Sequence, residues 1–241
     1  MRQTILSVPF DPLTSDRALR KLMSYLKTDS NHLIVTPNPE MVMLAQRNKA
    51  FMQILQGADM VLADGIGILL AARIRKIPIP TRVPGCDIAM RLLLAGRASV
   101  YLLGAAPGVA EAAAHKLQSK GIQVLGAHHG YFGLKSDTET AVIAEIQKLQ
   151  PDILLIGMGM PRQEEWAASN LHILPCKITI CVGGAIDVFA GHIPRAPLFM
   201  RRLGLEWLFR LMREPSRIGR MLELPRFVLA VLLNPKRTFG Q

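Results

Sequence analysis

The sequence predicts an α/β fold with a mostly parallel sheet and helices on both faces. Three observations lead there: apolar runs of strand length recur along the chain, longer helical patterns separate them, and glycine-containing turns follow many of the runs. Alternation of this kind builds right-handed βαβ units. With 241 residues, half of them apolar, the chain can bury a sizeable core.

Taken in order, "TILSVPF" near the N-terminus reads as an edge strand, and "HLIVT" (32–36), "MVLA" (60–63), "SVYLLG" (99–104), "IQVLG" (122–126), "DILLIGMG" (152–159) and "ITICVGG" (178–184) read as sheet strands. Helical patterns fall between them near 38–56, 65–75, 86–96, 107–119, 137–149 and 161–171. After Gly191 the strand signals stop and a basic helical segment runs to the end. The expected organisation is therefore a Rossmann-like core over 1–194 and a basic amphipathic helical appendage over 195–241.

Charge supports that boundary. The net charge is +11, and from Arg195 onward ten Lys or Arg stand against three acids, a net +7. Three scattered cysteines, Cys86, Cys176 and Cys181, suit neither a disulfide framework nor a zinc site and fit a reducing compartment. The N-terminus carries no signal-peptide pattern, and no apolar run approaches the roughly 18 residues of a spanning helix; the tail run "FVLAVLL" stops at Asn234 and Pro235.

In an open parallel sheet, ligands bind beyond the carboxyl ends of the strands, which makes the following turns the candidate site. They read "TPNPE" (36–40), "ADGIG" (63–67), "GAAPG" (104–108), "GAHHGYF" (126–132), "GMGMPRQEEW" (157–166) and "GGAIDVFAG" (183–191). Their glycines let backbone N–H groups approach a phosphate, which points to a nucleotide. Neither a dinucleotide fingerprint nor a Walker sequence is present, so NAD chemistry and ATP hydrolysis are unsupported. His128 and His129 lack further ligands at metal spacing, and no metal or cofactor is expected. Asp64 and Asp187 stand close to glycines at turns, where an Asp is commonly a helix cap, and the residues alone favour that account over chemistry. Pro37 and Pro39 around Asn38 make a helix start, and Arg82 and the pair Glu164–Glu165 read equally well as a solvated loop cation and helix-dipole carboxylates.

Together, "TPNPEM", "ADGIGI", "RVPGCD", "YLLGAAPGVAEAAA", "GYF", "PDILLIGMGMPRQEEW" and "GGAIDVFAGHIPRAPLFMRRLGLEWLFRLMREPSR" resemble the WecG/TagA/CpsF family of glycosyltransferases, from about Ile34 to Arg220. The sequence departs from the family pattern at Ala63, where Pro is usual, and at Ile186, where Phe is frequent. The resemblance implies inverting transfer of a hexose-type sugar from a UDP-sugar to a sugar carried on undecaprenyl diphosphate. Teichoic acid, common antigen, capsule or exopolysaccharide would be the product pathway. It implies Asp64 as catalytic base and places Thr36, Asn38, Arg82 and Gln163 around the same pocket. Asp187 is assigned to nucleotide or sugar hydroxyls. Inversion needs one carboxylate to accept the acceptor's proton, and no two Asp stand two residues apart, so the diphosphate is expected to be held by helix N-termini and cations rather than by a metal.

In the tail, Arg210, Arg213, Arg217 and Arg220 recur at near-helical spacing beside apolar faces, as in helices that lie in a membrane interface and meet anionic headgroups or a lipid diphosphate. The expected location is cytoplasmic, peripheral on the inner face of the cytoplasmic membrane. No nucleic-acid module is recognisable. An inter-subunit helix pair would bury the same apolar face, which leaves a homo-oligomer open. The alternative reading from another class is a non-catalytic nucleotide-sugar-binding protein of a polysaccharide-assembly complex.

Overall fold

The computed structural model describes residues 1–213, 219 and 222–234. It opens with β1 (Gln3–Ile5) and β2 (Val8–Phe10), an antiparallel hairpin in which Ile5 faces Val8. Leu6 and Ser7 turn it with φ of +46° and +66°, the left-handed turn that suits strand twist. The predicted edge strand is thus a separate two-stranded sheet. Helix α1 (Ser15–Tyr25), which the sequence reading did not anticipate, buries Ala18 and Leu22 along one stripe of an otherwise charged segment. Strand β3 (His32–Val35) follows.

The predicted helix over 38–56 is two helices, α2 (Pro39–Arg47) and α3 (Lys49–Gly57). Asn48 separates them because its side chain accepts from Phe51 N at 3.0 Å, capping α3, as Asn38 caps α2 through Met41 N at 3.0 Å. Strand β4 is reduced to Met60–Val61, and α4 (Ile66–Ile74) and α5 (Gly85–Gly96) succeed it. Then come β5 (Val100–Gly104), α6 (Val109–Gln118), β6 (Val124–His128), α7 (Asp137–Leu149), β7 (Ile153–Gly157), α8 (Arg162–Asn170), β8 (Ile178–Cys181) and α9 (Ala185–Ala190). Beyond them lie α10 (Leu198–Arg202), α11 (Glu206–Arg213) and α12 (Glu223–Leu233). Among the described residues no helix is long and apolar enough to cross a membrane.

The chain divides into two compact units: Met1–Ser15 with Thr36–Pro84 and Arg195–Gln241, and Asp16–Val35 with Gly85–Pro194. The second unit holds five parallel strands in the order β3-β8-β7-β5-β6, with Ile178 beside both His32 and Ile153, and Val100 beside both Ile153 and Val124. Every residue of β5, β7 and β8 is buried, so both faces of the sheet are covered, as a parallel α/β sheet requires. This is the expected α/β, Rossmann-like class.

The first unit gathers the hairpin, α2 to α4 and the segment from Arg195. Asp11 binds β4 on both sides of its backbone: Val61 N donates to Asp11 Oδ2 and Asp11 N to Val61 O, each at 2.8 Å. Helix α12 is more than a surface element, because Phe227 and Val231 are fully buried there and a Cβ on Gly67 of α4 would stand 2.7 Å from Leu224.

Candidate active site

In the first unit the backbone ties three of the predicted segments together. Asp64 N donates to Pro37 O at 3.2 Å, and Val83 N donates to Ala63 O at 2.7 Å, so the turns carrying Asn38, Asp64 and Arg82 are neighbours. Gly65 has φ +88°, a left-handed conformation that side chains rarely adopt, which is why a glycine follows Asp64. Gly65, not Asp64, occupies the cap position of α4. Asp64 is half-buried at the turn. Thr36 and Asn38 are also half-buried, and the helix-start reading holds for Asn38, whose Oδ1 is the α2 cap.

Arg82 is no solvated loop cation. Its guanidinium lies 3.5 Å from Glu206 of α11 and donates to the Arg201 carbonyl, while Arg195 approaches the same Glu206 at 3.6 Å. These ion-paired side chains are only 15–20% exposed. Of the tail arginines, Arg213 is exposed with its guanidinium 5.6 Å from the Phe209 ring, and Arg210 lies on α11. Arg217 and Arg220 lie outside the described residues.

In the second unit, Gln163 and Asp187 belong to the strand ends of β7 and β8. Backbone there approaches backbone so closely that side chains do not fit: a Cβ on Gly104 would come within 2.5 Å of Gly157, and one on Gly157 within 2.6 Å of Gly183 O. Gln163 is buried near the start of α8, where its Oε1 accepts from Gly183 N at 3.0 Å and its Nε2 donates to Glu164 Oε1 at 2.6 Å. Asp187 is half-buried in the first turn of α9, and its carbonyl accepts from His192 N at 3.0 Å. Gly184, not Asp187, is the α9 cap position.

Glu164 corrects the sequence reading. It has no exposed surface, and burial pushes its carboxyl up to about 7, against the lowering effect of the Gln163 hydrogen bond. A helix-dipole carboxylate would sit in solvent, ionised; this one is a neutral acid through the acidic range. Cys181 beside it is pushed well above its usual value by its own complete burial. Nothing in the spacing "RQEEW" told Glu164 from Glu165; only the helix face does so, with Glu164 facing inward and Glu165 half-buried.

Tyr131 and Arg162 were also missed as individual residues. After β6, Tyr131 is 69% exposed, with its N–H donating to His129 Nδ1 at 3.2 Å. Arg162 covers the Phe132 ring at 5.4 Å and donates to the Phe132 carbonyl. The glycine before an aromatic pair in "GYF" is the signal that could have marked this loop. Among the described residues no group of His, Cys, Asp and Glu is placed to hold a metal ion.

The second unit's glycine-lined sheet edge, with the Gln163 side chain clamped to one of its turns, is architecture suited to binding a nucleotide, and the first unit by itself carries a half-buried Asp beside a glycine turn, the acid a transferase needs. Residues 3–240 match the model of the glycosyl transferase WecG/TagA/CpsF family. Relatives from Staphylococcus aureus strains MRSA252, MW2 and N315 bear the name N-acetylglucosaminyldiphosphoundecaprenol N-acetyl-beta-D-mannosaminyltransferase; each is 34% identical over 233 residues, covering 94% of this chain and 91% of the relative. The chain belongs to the WecG/TagA/CpsF family and is a glycosyltransferase.

Proposed function

We propose that this glycosyltransferase moves an N-acetylmannosamine-type hexose from a UDP-sugar to an N-acetylglucosamine carried on undecaprenyl diphosphate, a step in cell-surface polysaccharide synthesis. The observation that carries the reading is the near-full-length similarity to transferases bearing that sugar and that acceptor in their names. In the proposed reaction the acceptor hydroxyl oxygen attacks the anomeric carbon as the bond from that carbon to UDP breaks. The hydroxyl proton passes to the Asp64 carboxylate, and the bonding pair leaves with UDP. Asp64 suits this role because it is a half-buried acid on a turn braced by backbone hydrogen bonds.

Thr36 and Asn38 serve substrate hydroxyls beside Asp64, and Arg82 supplies positive charge for a phosphate group, a role its present pairing with the Glu206 carboxylate fits chemically. Gln163 and Asp187 hold the donor at the glycine turns, and the exposed Tyr131 ring offers a face on which a uracil can stack. Incubation with a panel of UDP-sugars and a short-prenyl diphosphate-linked N-acetylglucosamine, read by mass spectrometry, tests the proposal. The expected product gains one N-acetylhexosamine. UDP binding without any product would leave the non-catalytic nucleotide-sugar reading instead.

We also read the 195–241 segment as an appendage that brings the enzyme to an anionic membrane surface on the inner face of the cytoplasmic membrane. Supporting this are its net charge of +7 and the exposed Leu198, Phe199, Leu203, Met212, Leu229 and Leu232. Flotation with phosphatidylglycerol-containing vesicles, against neutral vesicles, is the check.

A further inference from the structure

The buried acid at 164 has a cost that packing does not explain. Glu164 has no exposed surface, its Oε2 has no hydrogen-bond partner among the described residues, and an apolar side chain of similar volume would fill the space between α8 and β8 without an unsatisfied oxygen. Its Oε1, however, accepts from Gln163 Nε2 at 2.6 Å, while the other end of the same carboxamide accepts from Gly183 N at 3.0 Å. A carboxamide has one donating and one accepting end. Were it flipped, its NH2 would face the Gly183 N–H, donor against donor.

We propose that Glu164 is a positioning residue for donor binding: by engaging Gln163 Nε2 it fixes the carboxamide so that the oxygen holds the Gly183 N–H, and so sets the turn from Gly183 to Asp187 that meets the nucleotide sugar. The proposal rests on the reading that Gln163 and this turn serve the donor. Gly183 carries φ +53°, and the Val182 N–H before it is spent on Ile156 O at 2.8 Å. The side chain of Gln163 therefore completes the anchoring of a turn whose own backbone is bent out of the sheet. The neighbouring Cys181, held neutral by burial, adds no charge that would compete.

The experiment measures UDP affinity by calorimetry, donor KM, kcat and melting temperature for Glu164→Gln, Glu164→Leu, Glu164→Asp, Gln163→Ala and the Gln163→Ala/Glu164→Leu pair. Glu164→Gln keeps an acceptor oxygen in reach and stays within about twofold of wild type. Glu164→Leu removes the acceptor, and Glu164→Asp withdraws it by one methylene. Each weakens UDP binding and raises donor KM by about tenfold, the worth of one net hydrogen bond, with kcat within about twofold and no loss of melting temperature in the Leu variant. In the Gln163→Ala background Glu164→Leu adds nothing, because it acts through that side chain.

Should Glu164→Leu fail to fold, Glu164→Asp decides the matter. A lowered melting temperature with unchanged UDP affinity in the Glu164 variants would assign the acid to stability alone and overturn the proposal. If Gln163→Ala weakens UDP binding while the Glu164 variants do not, positioning by Glu164 fails and the Gln163 reading survives. If Gln163→Ala also binds UDP like wild type, the reading of Gln163 fails with it.

Discussion

Asp64 and Glu164 are both carboxylic acids that follow a strand, Asp64 in a glycine turn and Glu164 in the first turn of the helix behind one, and they differ in nearly everything else. Asp64 is half-buried on a turn whose backbone is braced by Pro37 O and by the Ala63–Val83 bond. Glu164 has no contact with water and keeps its proton up to about 7. The difference shows that neighbourhood, not residue type, decides what an acid does in this chain. An acid within reach of solvent and substrate can take a proton; a buried one serves as a hydrogen-bond partner. The cationic side shows the same contrast, since the first unit holds Arg82 and Arg195 by charge on Glu206, whereas the second clamps Gly183 through a carboxamide without formal charge.

The largest expected effect therefore belongs to Asp64. Asp64→Asn keeps shape and most polarity but removes the proposed proton acceptor, and turnover should fall by about 10²- to 10⁴-fold with UDP affinity within about twofold. Product formation followed by mass spectrometry, with calorimetry for UDP, measures both. An equal loss of kcat in Glu164→Gln would erase the contrast between the two acids, and wild-type turnover in Asp64→Asn would end its assignment as base.

Arg82 comes next. If its guanidinium serves a phosphate, Arg82→Ala should lower kcat/KM by about 10- to 100-fold, the cost of one charge-assisted contact, and Arg82→Lys should recover only part because an ammonium lacks the fork. Steady-state kinetics at low and high salt would sharpen the comparison: the charged first-unit arrangement should respond to ionic strength more than UDP affinity set by the neutral Gln163 clamp does. Wild-type kinetics in Arg82→Ala would confine the residue to its ion pair with Glu206.

Much of this was legible in the sequence, for reasons that also explain what was not. Strands β5 and β7 are uninterrupted apolar runs, and β8 is broken only by the buried Thr179, because both faces of a parallel sheet are covered, and such runs stand out. Helix α1 escaped notice because its buried stripe is only Ala18 and Leu22 amid charges. The break at Asn48 was hidden because the apolar pattern continues through it; only the cap bond to Phe51 N ends one helix and starts another. The turns carrying Thr36, Asn38, Asp64, Gln163 and Asp187 were visible as strand-end motifs, whereas Arg82 was marked only by the family resemblance. The Arg82–Glu206 pair and the Glu164–Gln163–Gly183 chain were not, since the first joins residues far apart in sequence and the second depends on which of two adjacent glutamates faces inward.

A smaller effect is the pH dependence of stability contributed by Glu164. Its folded value of about 7 lies above the ordinary 4.5. Below about 4.5 both folded and unfolded chains hold the proton. Between there and about 7 the unfolded chain releases it first, so stability falls as pH rises, and above about 7 the penalty is constant. The titratable groups facing it are Cys181 on β8, neutral throughout this range, and Glu165 on its own helix; β7 supplies none, and His32 on β3 is stacked on Tyr25 at 3.8 Å. Calorimetric melting of Glu164→Gln minus wild type should therefore widen from pH 4.5 to 7 and then level. A difference independent of pH would mean that Glu164 ionises as an ordinary surface acid does.

The smallest effect should come from removing divalent metal. UDP leaves with negative charge that something must meet, and transferases that use a metal for this hold it with closely spaced carboxylates. Here no two Asp stand two residues apart, and among the described residues no group of metal-binding side chains converges. Of the two acids compared, Glu164 is neutral in the acidic range and enclosed, unsuited to a hydrated cation, and Asp64 is assigned to the acceptor proton. On the proposed reading, helix N-termini and cationic side chains stabilise the diphosphate instead. Turnover in excess EDTA should accordingly stay within about twofold of the untreated rate. A complete loss, restored by Mg²⁺ or Mn²⁺, would place a metal at the leaving group and require a different role for Asp64, because a carboxylate that binds a dication is a poor base for the acceptor hydroxyl.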